Sequence, residues 1–247
     1  MRTLLFTACK YYIKASIYMS KAHSRFGLYS KVLHYVNTFV ADYFVETFKK
    51  VIYYILFMIE KTLVLLKPDA VQRGLIGEII SRFERVGLKI IGLKLVYADE
   101  KIAGMHYAND EEWLLAVGNK ALSSAKEKGF VEDRSAKQIG ESVREMLISY
   151  LAMSPIIAMA LEGHGAVKMV RKIVGETNPQ KSLPGTIRGD YTTDSYELAD
   201  FCKRPIQNLI HASESVSEAT RELALWFKEE ELHVWKRIDE ELLYRKG

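Results

Sequence analysis

The sequence predicts an α+β fold, a ferredoxin-like βαββαβ sandwich whose four-stranded antiparallel sheet carries extra helices and insertions. Two observations predict it. A pair of short apolar runs, each the length of a strand, encloses a segment with helical spacing, and the same β-α-β order returns further along the chain. Two such halves are typical of one sheet with helices on one of its faces.

The first half lies within residues 62–97. Residues 62–66 form an apolar run that ends before Pro68, which predicts a buried strand stopped by proline. A helix closed by Gly87 should follow, because apolar residues recur at helical spacing. These residues are Ile76, Ile79, Ile80, Phe83 and Val86. Branched side chains over residues 89–97 predict the second strand.

The second half follows a long helical stretch. Residues 100–152 predict at least two helices with a break near Gly129. Residues 155–161 then predict the third strand, Ala166–Val174 a helix, and residues 206–210 the fourth strand. This order completes the second β-α-β unit of the sandwich.

The C-terminal part of the chain is predicted to be helical. Ser215 and Glu218, three residues apart, have the pattern of a capping box at the start of one helix. A final amphipathic helix is predicted over residues 230–243. Both helices would be additions to the basic sandwich.

Residues 1–57 differ from the rest of the chain. They hold eight of the 14 tyrosines and six of the 10 phenylalanines, no proline and a net charge of +6, so that the remaining 190 residues total −2. Three interpretations stay open: a membrane-surface or targeting helix, a helical appendage, or a segment upstream of a true start at Met58. We favour the start at Met58, because the domain pattern of residues 58–247 begins abruptly there, and we expect no membrane contact.

Composition restricts the partners of the protein. The nearly neutral main body offers no broad basic surface for nucleic acid, so any phosphate binding must come from a few placed cations. Cys9 and Cys202 fit neither a metal-ligand nor a disulfide spacing, which indicates ordinary thiols in a reducing compartment. A cytoplasmic protein is therefore expected.

Residues 176–191 contain the first candidate for chemistry. This segment has little periodicity, and such a stretch inside a compact domain is often functional. Gly185 and Gly189 flank Arg188, whose planar guanidinium suits phosphate oxygens. The competing interpretation is an arginine that is solvated or paired with Asp190.

His211 is the second candidate, because it lies between a predicted strand and a helix start, where an imidazole is exposed on a fixed backbone. Neutral imidazole accepts a phosphoryl group when a hydrogen bond orients its other nitrogen, and Glu222 is available for that bond. Spacing alone leaves a structural or merely exposed histidine open. The other five histidines show no metal-ligand spacing, so no protein metal site is predicted.

Four segments occur in the order found in nucleoside diphosphate kinases, the family that residues 60–232 resemble. They are residues 67–71 with Arg73 and Gly74, residues 171–179, residues 184–191 and residues 208–215, and residues 225–228 extend the match. The resemblance implies a two-step transfer of the γ-phosphate from a nucleoside triphosphate, typically ATP, to a nucleoside diphosphate. It also implies a homo-oligomer, either a tetramer or a hexamer.

The resemblance further implies roles for single residues. His211 matches the phosphorylated nucleophile, Glu222 the carboxylate that orients it, and Ser213 a supporting hydroxyl. Lys67 and Tyr107 match further catalytic positions beside the nucleophile. The positions expected to hold the nucleotide are Lys67, Val143, Arg171, Thr177, Arg188 and Asn208. Mg²⁺ is expected on the nucleotide phosphates, which agrees with the absence of a carboxylate cluster in the sequence.

The sequence departs from the family pattern in three ways. Ala212 replaces the usual glycine, and Glu214 the usual aspartate. Val143 stands where an aromatic side chain usually sandwiches the base, which weakens the expected stacking. Insertions near residues 111–141 and 192–205 either reshape the nucleotide entrance or the subunit contacts, or decorate the surface.

The function that these observations predict is that of a cytoplasmic nucleoside diphosphate kinase with broad base specificity. The alternative is a catalytically silent relative that binds nucleotides or scaffolds partners. Because a protein that only binds has no need of a nucleophile, the presence of His211, Glu222 and Lys67 together argues against that alternative.

Overall fold

The computed structural model describes residues 59–107, 109–127 and 131–245. The predicted extension over residues 1–57 and the predicted helix break at Gly129 lie outside these residues. The strands are β1 (Ile59–Leu66), β2 (Lys89–Val96), β3 (Ile156–His164) and β4 (Ile210–Ala212). The α-helices are α1 (Pro68–Gln72), α2 (Ile76–Arg85), α3 (Glu100–His106), α4 (Glu111–Glu127), α5 (Ala136–Ala152), α6 (Ala166–Val174), α7 (Ile187–Tyr191), α8 (Tyr196–Phe201), α9 (Val216–Trp226) and α10 (Glu240–Leu243).

Within the described residues, the strands form one antiparallel sheet in the order β2-β3-β1-β4. With helices between the strands, this sheet confirms the predicted α+β, ferredoxin-like fold class. The short strand β4 pairs with the C-terminal half of β1, where His211 stands opposite Leu65. The predicted nucleophile is therefore carried on an edge strand against the centre of the sheet.

Helices cover both faces of the sheet, and the prediction of a single covered face was wrong. Leu63 and Leu65 pack into a core with side chains of α3, α5 and α9. Val64 and Leu66 point the other way, into a core with side chains of α2 and α6. Burial on both faces explains why residues 63–66 of β1 are all apolar, since a strand with one solvated face would alternate.

The fourth strand lies later in the chain than the sequence predicted. The prediction ended the strand at Ile210, whereas β4 begins there. The predicted strand over residues 206–210 contains Leu209, whose φ of 67° is incompatible with an extended strand. The buried apolar residues Ile206 and Leu209 therefore belong to the segment that precedes β4.

The predicted final helix over residues 230–243 is also wrong in most of its length. A 3₁₀ turn at Glu229–Glu231 and the short helix α10 are separated by chain that crosses the edge strand β2. There the His233 N–H donates to Ile91 O at 2.7 Å, and the Trp235 indole N–H donates to Ile90 O at 3.0 Å. These contacts with the sheet replace the hydrogen bonds of a continuous helix.

The stretch predicted to be helical over residues 100–152 contains the three helices α3, α4 and α5.

The capping box is half formed: Ser215 Oγ accepts the Glu218 N–H at 3.1 Å, but the Glu218 carboxylate accepts from the Glu214 N–H. Among the helices that the structure describes, none has the length and apolar character needed to cross a membrane.

The two regions predicted to be insertions contain helices. The first contains α4 and the start of α5, and the second contains α8. The ammonium of Lys120 on α4 lies 5.7 Å from the centre of the Tyr196 ring on α8, a cation–π distance. The two regions therefore contact each other, although 50 residues of sequence (142–191) separate them.

Helices α4 and α5 approach so closely that their backbones touch. A Cβ atom added at Gly118 would lie 1.8 Å from Ala136 O, and one added at Gly140 would lie 2.2 Å from Leu114 O. Real Cβ atoms do not come this close to a carbonyl oxygen. Both positions therefore require glycine for the helices to pack as they do.

Replacing Gly118 with alanine is expected to lower the free energy of unfolding by about 1–3 kcal/mol, because α4 and α5 must move apart. Urea denaturation followed by circular dichroism measures this change. Gly77→Ala on α2 is the matched control, since nothing lies within 4 Å of its added methyl group. That control should keep or slightly raise the stability, and equal stability of both variants would contradict the close packing.

Candidate active site

The imidazole of His211 lies at the edge of the sheet with 19% of its side chain exposed. Its Nε2 is 2.9 Å from Oε1 of Glu222, which is almost fully buried on α9. The other oxygen of Glu222 accepts the hydroxyl of Ser213 at 2.6 Å. Because a carboxylate accepts hydrogen bonds, Nε2 carries the ring proton and Nδ1 holds the free electron pair.

Burial and surrounding cations keep this imidazole neutral. Burial is the main cause that lowers the pKa of His211 to about 3, and the charges of Lys67 and Arg188 add to it. Burial raises the pKa of Glu222, while His106, the Ser213 hydroxyl and Arg221 oppose that rise. A neutral ring whose far nitrogen is tied to a carboxylate is suited to nucleophilic attack through Nδ1.

Lys67 lies buried directly after β1. Its Nζ donates to Oδ1 of Asn208 at 2.9 Å, and the Asn208 amide donates to the backbone oxygen of Thr177 at 2.8 Å. Burial is the main cause that lowers the pKa of Lys67 to about 8, and the charge of the nearby Arg188 is the second. This amine has no carboxylate at salt-bridge distance among the described residues, so a bound phosphate would relieve its unfavourable position.

Arg188 is also buried, and its guanidinium is mostly used within the protein. It donates to the carbonyl oxygens of Asn208 at 3.1 Å, Gly175 at 3.1 Å and Ile210 at 2.6 Å. Burial and the charge of Arg171 lower its pKa to about 10. The arginine is therefore an integral part of the pocket wall.

The competing interpretation of Arg188, solvated or paired with Asp190, was wrong. Asp190 instead forms an ion pair with Arg82 at 2.5 Å and accepts the Gly185 N–H at 2.7 Å. Arg82 also donates to the Gly185 carbonyl, so it closes the loop before α7. Arg188 donates instead to backbone carbonyl oxygens, and Asp190 takes Arg82 as its partner.

Two further predicted residues lie at the margin. Arg171 on α6 is half exposed and has Glu214 Oε1 at 3.8 Å, so its charge is only loosely paired. Thr177 is exposed in the loop that follows α6. Both lie on the side of the pocket that is open to solvent.

Tyr107 and Val143 are placed by the helices around the first insertion. Burial and the charge of Glu222 raise the pKa of Tyr107, so its hydroxyl stays protonated. Val143 is half-buried on α5, seven residues before Tyr150, which corresponds to about 10 Å along the helix. The Tyr150 ring lies 6.0 Å from the Lys67 amine, so Val143 stands about two helical turns away from the part of α5 that approaches Lys67.

His106 was not predicted from the sequence and was grouped with the histidines that show no metal-ligand spacing. The ring of His106 meets that of His211 edge to face at a centroid distance of 4.4 Å. Its Nδ1 accepts the indole N–H of Trp226 at 3.3 Å and lies 3.5 Å from Glu222 Oε1. The only sequence signal was its position next to Tyr107, because no spacing rule connects residues this far apart.

Ligand atoms of His106, His211 and Glu222 lie within 4.8 Å of one another, close enough to raise the question of a metal site. Trp226, however, donates to His106, and Ser213 and His211 donate to the two oxygens of Glu222. These hydrogen bonds join the three side chains and leave Nδ1 of His211 with its free electron pair. The hydrogen bonding accounts for the close approach of the three groups and orients the imidazole.

The acid–base properties predict the pH profile of activity. The neutral form of His211 persists down to about pH 3, whereas the ammonium of Lys67 is lost as the pH rises through about 8. We therefore expect kcat/KM to be flat from about pH 5 to 7 and to fall above pH 8, measured with a coupled assay. In Lys67→Arg the alkaline decline should disappear, because guanidinium stays charged. An unchanged decline in that variant would exclude Lys67 as its source.

Known proteins with the same sequence pattern identify the family. The model of the nucleoside diphosphate kinase family matches residues 60–115 and 113–232. The nucleoside diphosphate kinase of Pyrobaculum aerophilum is 49% identical over 181 residues, which span 70% of this chain and 98% of that protein. That of Pyrococcus furiosus is 41% identical over 71% of this chain and 87% of its own length.

Solved structures agree with the sequence comparisons. The crystal structure of an NDP kinase from Pyrobaculum aerophilum has a TM-score of 0.69 at 46% identity and covers 70% of this chain and 98% of its own. The nucleoside-diphosphate kinase from Borrelia burgdorferi, solved as a transition-state mimic with vanadate and ADP, has a TM-score of 0.62 at 36% identity. It covers 75% of this chain and 97% of its own. Sheet order, sequence and solved relatives thus agree that this chain belongs to the nucleoside diphosphate kinase family.

Proposed function

We propose that this enzyme transfers the γ-phosphoryl group of a nucleoside triphosphate, typically ATP, to a nucleoside diphosphate, with His211 as the intermediate carrier. One observation carries the proposal. The Nε2 of His211 is bonded to buried Glu222 at 2.9 Å and the pKa of the ring is lowered to about 3, so Nδ1 is an unprotonated acceptor. The buried cations Lys67 and Arg188 are near enough for their charges to act on this ring, which suits an incoming phosphoryl group.

In the first half-reaction, the Nδ1 electron pair attacks the γ-phosphorus. The bond from phosphorus to the bridging oxygen breaks, and the nucleoside diphosphate leaves with that electron pair. In the second half-reaction, a terminal oxygen of another nucleoside diphosphate attacks the same phosphorus, and the electron pair of the N–P bond returns to Nδ1. The proton on Nε2 stays in its bond to Glu222 throughout, where the carboxylate offsets the positive charge of the phosphorylated ring.

The cations of the pocket act on the charge of the transferred group. Lys67 and Arg188 are buried, and burial lowers the pKa of each. A bound phosphate would therefore stabilise the charged form of both side chains. Arg171 and Thr177 would hold the nucleotide from the exposed side, and Asn208 would connect them to Lys67. These groups are fixed before the substrate arrives, which is the condition for electrostatic stabilisation of a transition state.

Mg²⁺ is proposed to arrive on the nucleotide phosphates. The ion prefers oxygen ligands in octahedral geometry, whereas the cluster at His211 offers two imidazole rings and a single carboxylate that is hydrogen-bonded at both oxygens. The residues of the pocket therefore fit a phosphate-bound ion better than a protein-bound one. Bound in that way, Mg²⁺ would supply positive charge that neutralises the phosphate oxygens.

The identity of the nucleotide base is proposed to matter little. The predicted contacts of Lys67, Arg171 and Arg188 act on phosphates, and Val143 presents an aliphatic side chain where stacking was expected. The Borrelia burgdorferi relative holds ADP with vanadate, a phosphoryl analogue, which supports a diphosphate and a transferred group in one pocket.

Assembly as a tetramer or hexamer and a cytoplasmic location remain predictions from the sequence.

The test separates the two half-reactions. The protein is incubated with γ-labelled ATP and Mg²⁺, freed of nucleotide, and assayed for an acid-labile phosphoprotein. Addition of GDP or CDP should discharge the label as GTP or CTP, while α-labelled ATP should leave the protein unlabelled. A protein that binds ADP but takes up no γ-label would contradict the proposal and support a silent relative.

A further inference from the structure

The segment before the nucleophile contains a strained turn. Leu209 has a φ of 67°, and the Ile210 N–H donates to Asn208 O at 2.8 Å, a bond that spans a single residue. This is the geometry of a γ-turn, which is rare because the left-handed region is unfavourable for a bulky side chain. Leu209 is fully buried, and the turn ends one residue before His211. Surrounding groups must hold this conformation.

The backbone of Leu209 is held on both sides by residues that follow β1. Oδ2 of Asp69 accepts the Leu209 N–H at 2.9 Å, and the Lys67 N–H donates to Leu209 O at 2.8 Å. Asp69 is itself buried and lies at the start of α1. Both backbone groups of the strained residue are therefore satisfied.

Arg188 holds the residues on either side of the strained one. Its guanidinium donates to Asn208 O at 3.1 Å and to Ile210 O at 2.6 Å, so one planar group bridges the turn. Both carbonyl oxygens therefore point toward Arg188, on either side of the left-handed residue. The turn thus couples a pocket cation to the strand that carries His211.

We infer that Asp69 is a positioning residue for His211, acting through its hydrogen bond to the strained turn. The strand β4 has only three residues, so its pairing with β1 alone fixes it weakly, and the adjoining turn determines how the strand begins. Loss of the bond to Leu209 lets the turn relax and moves Nδ1 out of line with the γ-phosphorus. This inference rests on the proposed role of His211.

The first test is Asp69→Ala. The rate of His211 phosphorylation by ATP should fall by about 10- to 100-fold, as for other residues that orient a reacting group. The Kd for ADP should stay within about threefold of the wild type, because the phosphate-binding side chains remain. An unchanged phosphorylation rate would overturn the inference, and so would an equal loss in rate and in ADP affinity.

The matched variant Asp69→Asn retains an oxygen acceptor but removes the negative charge. If the hydrogen bond is what matters, its phosphorylation rate should lie within about threefold of the wild type. A rate as low as that of Asp69→Ala would mean that charge acts instead, and would overturn the inference. The comparison needs both proteins folded, which circular dichroism establishes beforehand.

A second pair of variants tests the strain itself. Glycine adopts a φ of 67° without penalty, so adding Leu209→Gly to Asp69→Ala should restore most of the lost rate. Adding Leu209→Ala removes a similar side chain without that freedom and should restore none. Both double variants should unfold at lower urea concentration, since a buried leucine is lost. Equal rates in the two double variants would overturn the inference.

The wild-type protein is labelled in parallel in every experiment. If it forms no phosphohistidine, the proposed function fails, whatever the Asp69 variants do. If the wild type is labelled normally and Asp69→Ala matches it, only the positioning role fails.

Discussion

Replacing His211 with asparagine is expected to abolish phosphoryl transfer, lowering kcat by at least about 10⁴-fold. Asparagine can still bond to Glu222, but its amide nitrogen has no electron pair able to take up phosphorus. The turn and the cations remain, so ADP should still bind. The measurements are the rate of GTP formation from GDP and ATP, and uptake of γ-label by the protein.

His233→Asn is the matched control for this variant. His233 is exposed, and its contact with β2 is made by its backbone N–H, which the substitution retains. Its activity should equal that of the wild type. Normal GTP formation by the His211 variant would remove the basis of the proposed mechanism.

Glu222→Gln is expected to lower kcat by about 10³- to 10⁴-fold, as in other enzymes where an amide replaces the carboxylate behind a catalytic histidine. The Ser213 hydroxyl should continue to donate to the side-chain oxygen, which turns the new NH₂ group toward Nε2 of His211. The ring then holds its proton on Nδ1, the nitrogen that must attack. Stopped-flow measurement of phosphoenzyme formation gives the rate.

Ser213→Ala provides the comparison, because it removes one bond to Glu222 and leaves the carboxylate intact. We expect about a 10-fold loss, in the range of residues that orient a catalytic group. If Glu222→Gln were no slower than Ser213→Ala, the tautomer argument would be wrong. The position of the ring proton can be read directly from the ¹⁵N shifts of His211.

The parts of the fold that were predictable are those with a local signal. The helix Ala166–Val174 has the predicted bounds, since apolar spacing and a following glycine define it within nine residues. The position of β4 was not predictable, because it depends on the left-handed Leu209, and nothing local distinguishes this leucine from one in a strand. The path of the C-terminal chain was unpredictable for the same reason, because the residues that it contacts on β2 are distant in sequence.

The candidate site shows a similar division. Motif resemblance named His211, Lys67 and Arg188, and in the structure the charges of Lys67 and Arg188 act on the His211 ring. Resemblance did not indicate that Arg188 donates to three carbonyl oxygens, because that arrangement depends on the backbone of the turn. The contact between His106 and His211 was equally hidden, since it forms only when α3 packs beside β4.

The close approach of α4 and α5 has a mechanical consequence. With no side chains between the backbones at Gly118, α4 and α5 are in direct contact, so a displacement of α4 is transmitted to α5. Helix α5 carries Arg144, which donates to the carbonyl of Tyr107, and Tyr150, whose ring lies beside Lys67. A displacement of α4 is therefore expected to reach Tyr107 and Lys67, two residues of the candidate active site.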